Sequence, residues 1–328
     1  MLDERHEYSR SRLNKLIDRL GELDRLLVNH RLCVYATGSY GRLEAWEGSD
    51  IDLFFLYDDT ERERLPWTTF IRLAAHLIEV TQDMSFPPFS GDGRYLEIQY
   101  VAKMERVLGS LDDDSMNSFT ARMLLLLESQ ALYRKDVYDA LLERIVGFYY
   151  RDYPDHEQVF VPTFLVNDIL RYWRTLTLNY EHHRMKLLTN KALTDRERAV
   201  EKAGSALKNY KLKVSRLATC FSMVAHLSSA DPPVTPEAVL DLCKKTPQAR
   251  FVELRGISND GDQLIDEMAS LYGEFLAAVQ RTEPELFDEF ANPKVRKDAL
   301  AHAQLYGDLI YRLLGEIVEP ERMRSLVV

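Results

Sequence analysis

Every strand-like run in this chain lies before residue 102, and long helical repeats fill the remainder. Residues 7–30 place Leu13, Leu16, Ile17, Leu20, Leu23, Leu26 and Leu27 at helical spacing. The β-prone run LCVYA (32–36) follows, and then IDLFFLY (51–57) after a Gly48-Ser49 break. A helix is predicted over 60–82, with Pro66 near its start. The loop SFPPFSGDG (85–93) ends it, and a third strand, YLEIQYV (95–101), comes next. Beyond about residue 103 no strand pattern stands out. Helices are predicted over 111–132, 137–150, 162–184, 194–229, 235–245, 261–281 and 296–318. Pro232-Pro233 and Glu283-Pro284 mark turns between them. The split predicts a small catalytic domain of helices and strands at 1–145 and an all-helical domain at 146–328.

Composition narrows the function classes. Hydrophobic residues make up 46% and charged residues 29%, the balance of a globular protein, and 328 residues leave room for two domains. With 52 acidic against 42 basic residues the net charge is −10. Affinity for long nucleic acid comes from neutralising phosphates, so this charge argues against such a partner. A small basic nucleotide pocket stays compatible with it. Cys33, Cys220 and Cys243 are widely spaced and form no CxxC pair, which supports neither a zinc site nor a disulfide framework. The first residues hold no apolar signal core, and the apolar runs 123–127 and 217–227 are too short to cross a bilayer. The expectation is a cytoplasmic, reduced protein with no membrane role.

The chemistry concentrates in ATGSYGRLEAWEGSDIDLFFLYD (36–58). Gly38-Ser39 follows a strand and opens a short helix, where backbone N–H groups can face a phosphate. Asp50 and Asp52 are two apart at the head of a strand, so both carboxylates point to one face. Glu97, between Leu96 and Ile98, supplies a third acid if its strand pairs alongside. Converging carboxylates beside a phosphate-binding turn suit Mg²⁺, with Mn²⁺ as an alternative. Two such ions can activate an attacking hydroxyl and stabilise leaving pyrophosphate.

Gly-Ser, then Asp-x-Asp, then a hydrophobic–acid–hydrophobic strand resembles the DNA polymerase beta-type nucleotidyltransferase superfamily. The longer string Gly38-Ser39-Tyr40-Gly41-Arg42 … Ser49-Asp50-Ile51-Asp52-Leu53 is most similar to the catalytic domain of bacterial uridylyltransferases that modify nitrogen-regulatory proteins, and to their relatives. Those enzymes usually have Gly-Gly in place of Gly38-Ser39. The resemblance covers about residues 30–102 and implies an α+β fold with a mixed-sheet core. It also implies Mg²⁺ dependence and transfer of a nucleoside monophosphate from an NTP to an acceptor. By it, Gly38 and Ser39 hold the triphosphate, while Asp50, Asp52 and Glu97 bind metal and carry catalysis. The stretch LLLESQALYRK (125–135) looks like the helix that follows the core in those relatives.

Other candidates are less sharply placed. Arg42 either contacts phosphate or pairs with Glu44 or Glu47. Tyr40 and Trp46 suit packing better than stacking on a base. On an unbroken 194–229 helix, Asn209, Lys213 and Arg216 share one edge beside an apolar stripe, from which Lys213 and Arg216 could reach a triphosphate. Arg171 and Arg174 lie on the opposite kind of face of the 162–184 helix. The predicted activity is metal-dependent nucleotidyl transfer to a hydroxyl of a protein, small molecule or nucleotide. The alternative is a non-catalytic regulator on the same fold, such as a toxin–antitoxin or signalling component.

Overall fold

A computed structural model of the chain describes all residues except 61–63, 90–95, 116, 190–193 and 326–328. The fold is α+β, with a four-stranded mixed sheet and helices around and beyond it. The chain divides into two units. The first holds Leu2–Phe160 and Pro233–Thr246, and the second Val161–Pro232 and Pro247–Val328. The boundary expected at 145/146 falls inside a helix of the first unit, Lys135–Gly147.

In the first unit, α1 (Leu2–Arg19), a 3₁₀ turn (Leu20–Glu22) and α2 (Leu23–Leu26) lead into β1 (Leu32–Thr37). A single helical turn, α3 (Gly38–Gly41), and β2 (Asp52–Tyr57) follow. Then come α4 (Trp67–Asp83), β3 (Ile98–Tyr100), α5 (Val101–Val107), α6 (Leu111–Ser115) and α7 (Ser118–Leu127). The unit continues through β4 (Gln130–Tyr133), α8 (Lys135–Gly147) and the short α9 (Tyr153–His156). Helix α4 begins only after Pro66, which lacks the N–H an interior position would need. Tyr95, the first residue of the expected third strand, lies outside the described residues.

The strand order is β3-β2-β1-β4, with β2/β3 parallel and both partners of β1 antiparallel. Strand β1 is buried along its whole length. One of its faces (Leu32, Val34, Ala36) joins Leu53, Phe55 and Tyr57 of β2 against Leu13, Leu16 and Leu20 of the first helices and Leu73 and Leu77 of α4. On the other face Tyr35 stacks on Phe54 at 5.7 Å and meets Tyr138 of α8 at 6.1 Å. Strand β4 corrects the expectation of uninterrupted helix over 111–132 and of a helix over 125–135. The helix stops at Leu127, and Gln130–Tyr133 completes the sheet on the free edge of β1.

Below the sheet, Asp113 of α6 accepts two hydrogen bonds from Arg122 of α7, at 2.8 and 2.7 Å, and Arg122 Nε donates to Tyr149 Oη at 2.7 Å. Both members of that ion pair are fully buried. The returning segment is tied in by the Tyr150 hydroxyl, which donates to the carbonyls of Val234 and Thr235. Its helix α13 (Pro236–Cys243) packs against α7 and α8.

The second unit is helical throughout its described residues. It contains α10 (Thr163–Thr189), α11 (Asp195–Lys211), a π-helical turn (Leu212–Arg216) and α12 (Leu217–Ser229). Helices α14 (Pro247–Glu253), α15 (Asn259–Ala278), α16 (Glu283–Ala291), α17 (Pro293–Ile317) and α18 (Pro320–Ser325) complete it. Thr194 with Glu197, and Thr282 with Glu285, form reciprocal caps that start α11 and α16. No helix among the described residues is long and apolar enough to cross a membrane.

His302 of α17 is a half-buried titratable group in this unit. Burial lowers its pKa below the ordinary 6.5, against a weaker opposing pull from Glu274. Protonation therefore favours the unfolded chain, so the contribution of His302 to stability is complete above pH 6.5 and is lost as pH falls below it. Thermal melts should show the stability declining on acidification through this window, and His302→Gln should flatten the decline.

Candidate active site

The antiparallel pairing of β1 with β2 sets Thr37 opposite Asp52, so Gly38 begins its turn directly over the head of β2. Gly38 has φ +65°, a conformation glycine adopts without strain. A Cβ built there would stand 2.6 Å from Asp52 Oδ2. The positive φ favours glycine at this position, and the short Cβ distance places the exposed Asp52 carboxylate close to the turn. Asp50 and Asp52 are both exposed, and Ser39 is half-buried.

Gly41 is required for a different reason. Its Cβ would lie 2.0 Å from the carbonyl oxygen of Glu128, a backbone atom that cannot swing aside. The segment between α7 and β4 therefore crosses directly over the turn. From that segment Gln130 Nε2 donates to the Gly41 carbonyl at 3.1 Å, and Glu128 Oε2 accepts from Arg42 Nη1 at 2.5 Å. Arg42 Nε also donates to Glu44 Oε2 at 2.8 Å. Arg42 is 8% exposed and Glu44 and Glu128 2% each. From α1, Arg5 donates to the Glu44 carbonyl at 2.8 Å, and the Ser9 hydroxyl accepts from the Ala45 N–H at 3.0 Å.

These contacts show the pairing expected as one of the two roles for Arg42. Its guanidinium is committed to carboxylates beneath the turn, one anticipated (Glu44) and one not (Glu128). Tyr40 is buried and packs edge-on against Phe86 at 5.5 Å. Trp46 lies over Gly48, where a Cβ would come within 2.6 Å of its ring.

The acids are not all brought together. Glu97 is exposed and stands one residue before β3. The β2/β3 register starts at Phe55↔Ile98, and its continuation sets Glu97 beside Phe54, two positions beyond Asp52 along the sheet. That offset amounts to roughly 6–7 Å of strand. Among the described residues no three His, Cys, Asp or Glu side chains are grouped so as to hold a metal ion. The donor chemistry still fits a hard cation at the Asp50–Asp52 pair, because Mg²⁺ needs only one or two carboxylates when phosphate oxygens and water complete its shell.

Lys213 and Arg216 fall within the π turn, and both are half-buried. The unbroken helix assumed for their spacing is therefore corrected. A π turn inserts an extra residue and rotates everything after it relative to Asn209. Arg171 pairs with the buried Asp168 at 3.3 Å. The three cysteines are free and buried, and burial pushes the Cys220 thiol up to about 12 and raises that of Cys33 as well. Neither offers a thiolate nucleophile.

Residues 13–118 match the family model described as a nucleotidyltransferase domain. The matched stretch takes in the Gly38 turn, Asp50, Asp52 and Glu97, and ends as α7 begins. It supports the nucleotidyltransferase superfamily as a class and does not single out uridylyltransferases. No curated protein matches the chain. Glu128 and Gln130, which brace the turn, lie beyond the nucleotidyltransferase match. Sequence spacing could not have found them, since Glu128 reaches Arg42 across 86 residues.

Substitutions at four positions test the brace. Arg42→Met leaves two buried carboxylates without their shared cation and should cost about 3–5 kcal/mol in denaturant unfolding. Adding Glu44→Gln and Glu128→Gln to it should recover part of that loss. Gly41→Ala should destabilise by at least about 2 kcal/mol, because the clash is with backbone.

Proposed function

We propose that the chain is a metal-dependent nucleotidyltransferase, which moves a nucleoside monophosphate from an NTP to an acceptor hydroxyl and releases pyrophosphate. The observation that carries this is the closeness of the Gly38 turn to the Asp52 carboxylate, at the head of a strand that Asp50 immediately precedes. The nucleotidyltransferase match over the same residues supports it. Nucleotidyl transfer needs an anion cradle and a cation-binding pair at one point, and a purely structural turn needs neither.

In this scheme Gly38 and Ser39 receive the triphosphate on their backbone N–H groups, with the Ser39 hydroxyl beside them. Asp50 and Asp52 would hold Mg²⁺, whose charge would stabilise the phosphate oxygens and favour the deprotonated acceptor. Glu97 is the third acid of the scheme. The acceptor oxygen forms a bond to the α-phosphorus as the bond to pyrophosphate breaks, and the hydroxyl proton passes to water. The brace of Arg42, Glu44 and Glu128 keeps the turn fixed while charge shifts above it, the preorganisation such chemistry depends on. Lys213 and Arg216 remain candidates for contacting the nucleotide. The reduced cytoplasm is the proposed setting, and the acceptor is a protein, small molecule or nucleotide.

The test is incubation with Mg²⁺ and each labelled NTP, followed by pyrophosphate release and a search for label on protein, RNA and small molecules. Asp52→Asn should reduce turnover by at least about a hundredfold, in line with loss of a metal or charge-stabilising group, with an unchanged melt. Ser39→Ala should raise the KM for NTP more than it lowers kcat, and Glu97→Gln should measure the share of the third acid. An Asp52→Asn protein that retains full turnover overturns the assignment. NTP binding without turnover by the unmodified chain would favour a non-catalytic regulator.

A further inference from the structure

The helical unit has a partly open pocket of about 390 Å³ lined by α10, α11 and α17. That volume falls in the range of small-molecule sites. Four cations stand around it: Arg184 of α10, Arg198 and Lys202 of α11, and Arg296 of α17. Among the described residues Glu201 is the single acid in its lining. The collection is strongly positive, on a chain whose net charge is −10.

The positions of the cations suit a ligand's head group. Arg198 and Lys202 are four apart on α11 and share one edge of the helix. Arg296 is fixed in place by donating to the carbonyls of Phe290 and Ala291 at 2.6 and 2.7 Å. Arg184 pairs with Glu181, but both side chains are about half exposed, and such a pair gives way readily to a better-placed anion.

Between the cations the walls are largely apolar. Ala206, Ala299, Leu300 and Ala303 line most of the wall, with Tyr180, Ser205 and Asn209 as its uncharged polar members, and the alanines leave its volume open. Its floor is Tyr210, 6% exposed and packed edge-on to Phe275 at 5.2 Å. A largely apolar wall beside several cations suits a ligand with an apolar body and one anionic group better than a ligand polar throughout, most of whose hydroxyls would lack partners. A neutral hydrocarbon would gain nothing from the four charges.

We propose that this cavity binds a small anionic amphiphile: an acyl or aryl group that carries a carboxylate, sulfonate or phosphate. The apolar body lies against the alanines of α11 and α17, and the head group meets Lys202 and Arg198. The site does not depend on nucleotidyl transfer, and no part of it lies within the stretch that matches the nucleotidyltransferase model.

The test uses the intact chain and two fluorescent probes, anilinonaphthalene sulfonate and phenylnaphthylamine, which share a ring system but differ in the sulfonate. The sulfonate should bind saturably and at least about tenfold more tightly than the neutral probe, and it should raise the melting temperature. Lys202→Glu should weaken sulfonate binding about tenfold and leave the neutral probe unaffected. Ala299→Trp should fill the cavity and abolish both. If Ala299→Trp itself lowers the melting temperature, Lys202→Glu carries the decision, because its side chain is exposed and its loss leaves the core intact. Equal affinity for the two probes, or sulfonate affinity unchanged in Lys202→Glu, overturns the proposal.

Discussion

A single buried guanidinium holds the candidate active site together. Arg42 lies between Glu44 and Glu128, and through them it joins the Gly38 turn to the strand connection some ninety residues later. Removing three such charges from water is costly, and a pair of this kind rarely adds net stability over an apolar replacement. Its effect is on geometry. One cation with two carboxylate partners restricts the placement of the turn, which lies close to the Asp52 carboxylate. The close approach of Gly41 to the Glu128 backbone enforces the same position by sterics.

The surrounding elements act in the same direction. Helix α1 contributes the Arg5 guanidinium and the Ser9 hydroxyl to residues 44 and 45, just where the chain leaves the turn. Strand β1 supplies a rigid base, buried on both faces and hydrogen-bonded on both edges. The exposed acids Asp50 and Asp52 thus project from a part of the molecule with little freedom to move. Catalytic groups benefit from this arrangement, since a flexible carboxylate pair would have to be ordered again in each cycle.

What could be read from the sequence depended on how local the physics was. Asp50 and Asp52 share a face through the two-residue period of a strand, and Gly38 is needed by its own φ and by a neighbour in register. Both were therefore legible. Strand β4 was not. Gln130–Tyr133 is four residues long, directly follows the helical run of α7, and is a strand only because β1 offers it an edge. The partner Glu128 was hidden for the same reason. The phasing of Lys213 and Arg216 rested on a 3.6-residue period that the π turn interrupts, and nothing in LKVSR announces that turn. Glu97 was recognised as an acid on the third strand, but its displacement from Asp52 depends on where the β2/β3 register begins, which composition does not encode.

The position of β4 has a consequence for the order in which the molecule is made. When synthesis has reached residue 118, the whole nucleotidyltransferase match exists, yet one edge of β1 is still without a partner. Its N–H and C=O groups on that side, in a strand of buried apolar residues, resemble the open edges through which chains stick to one another. The edge closes only when Gln130–Tyr133 arrives, and the same few residues bring Glu128 to Arg42. Protection from aggregation and assembly of the site are thus one folding event. A fragment trimmed to the matched residues would lack both.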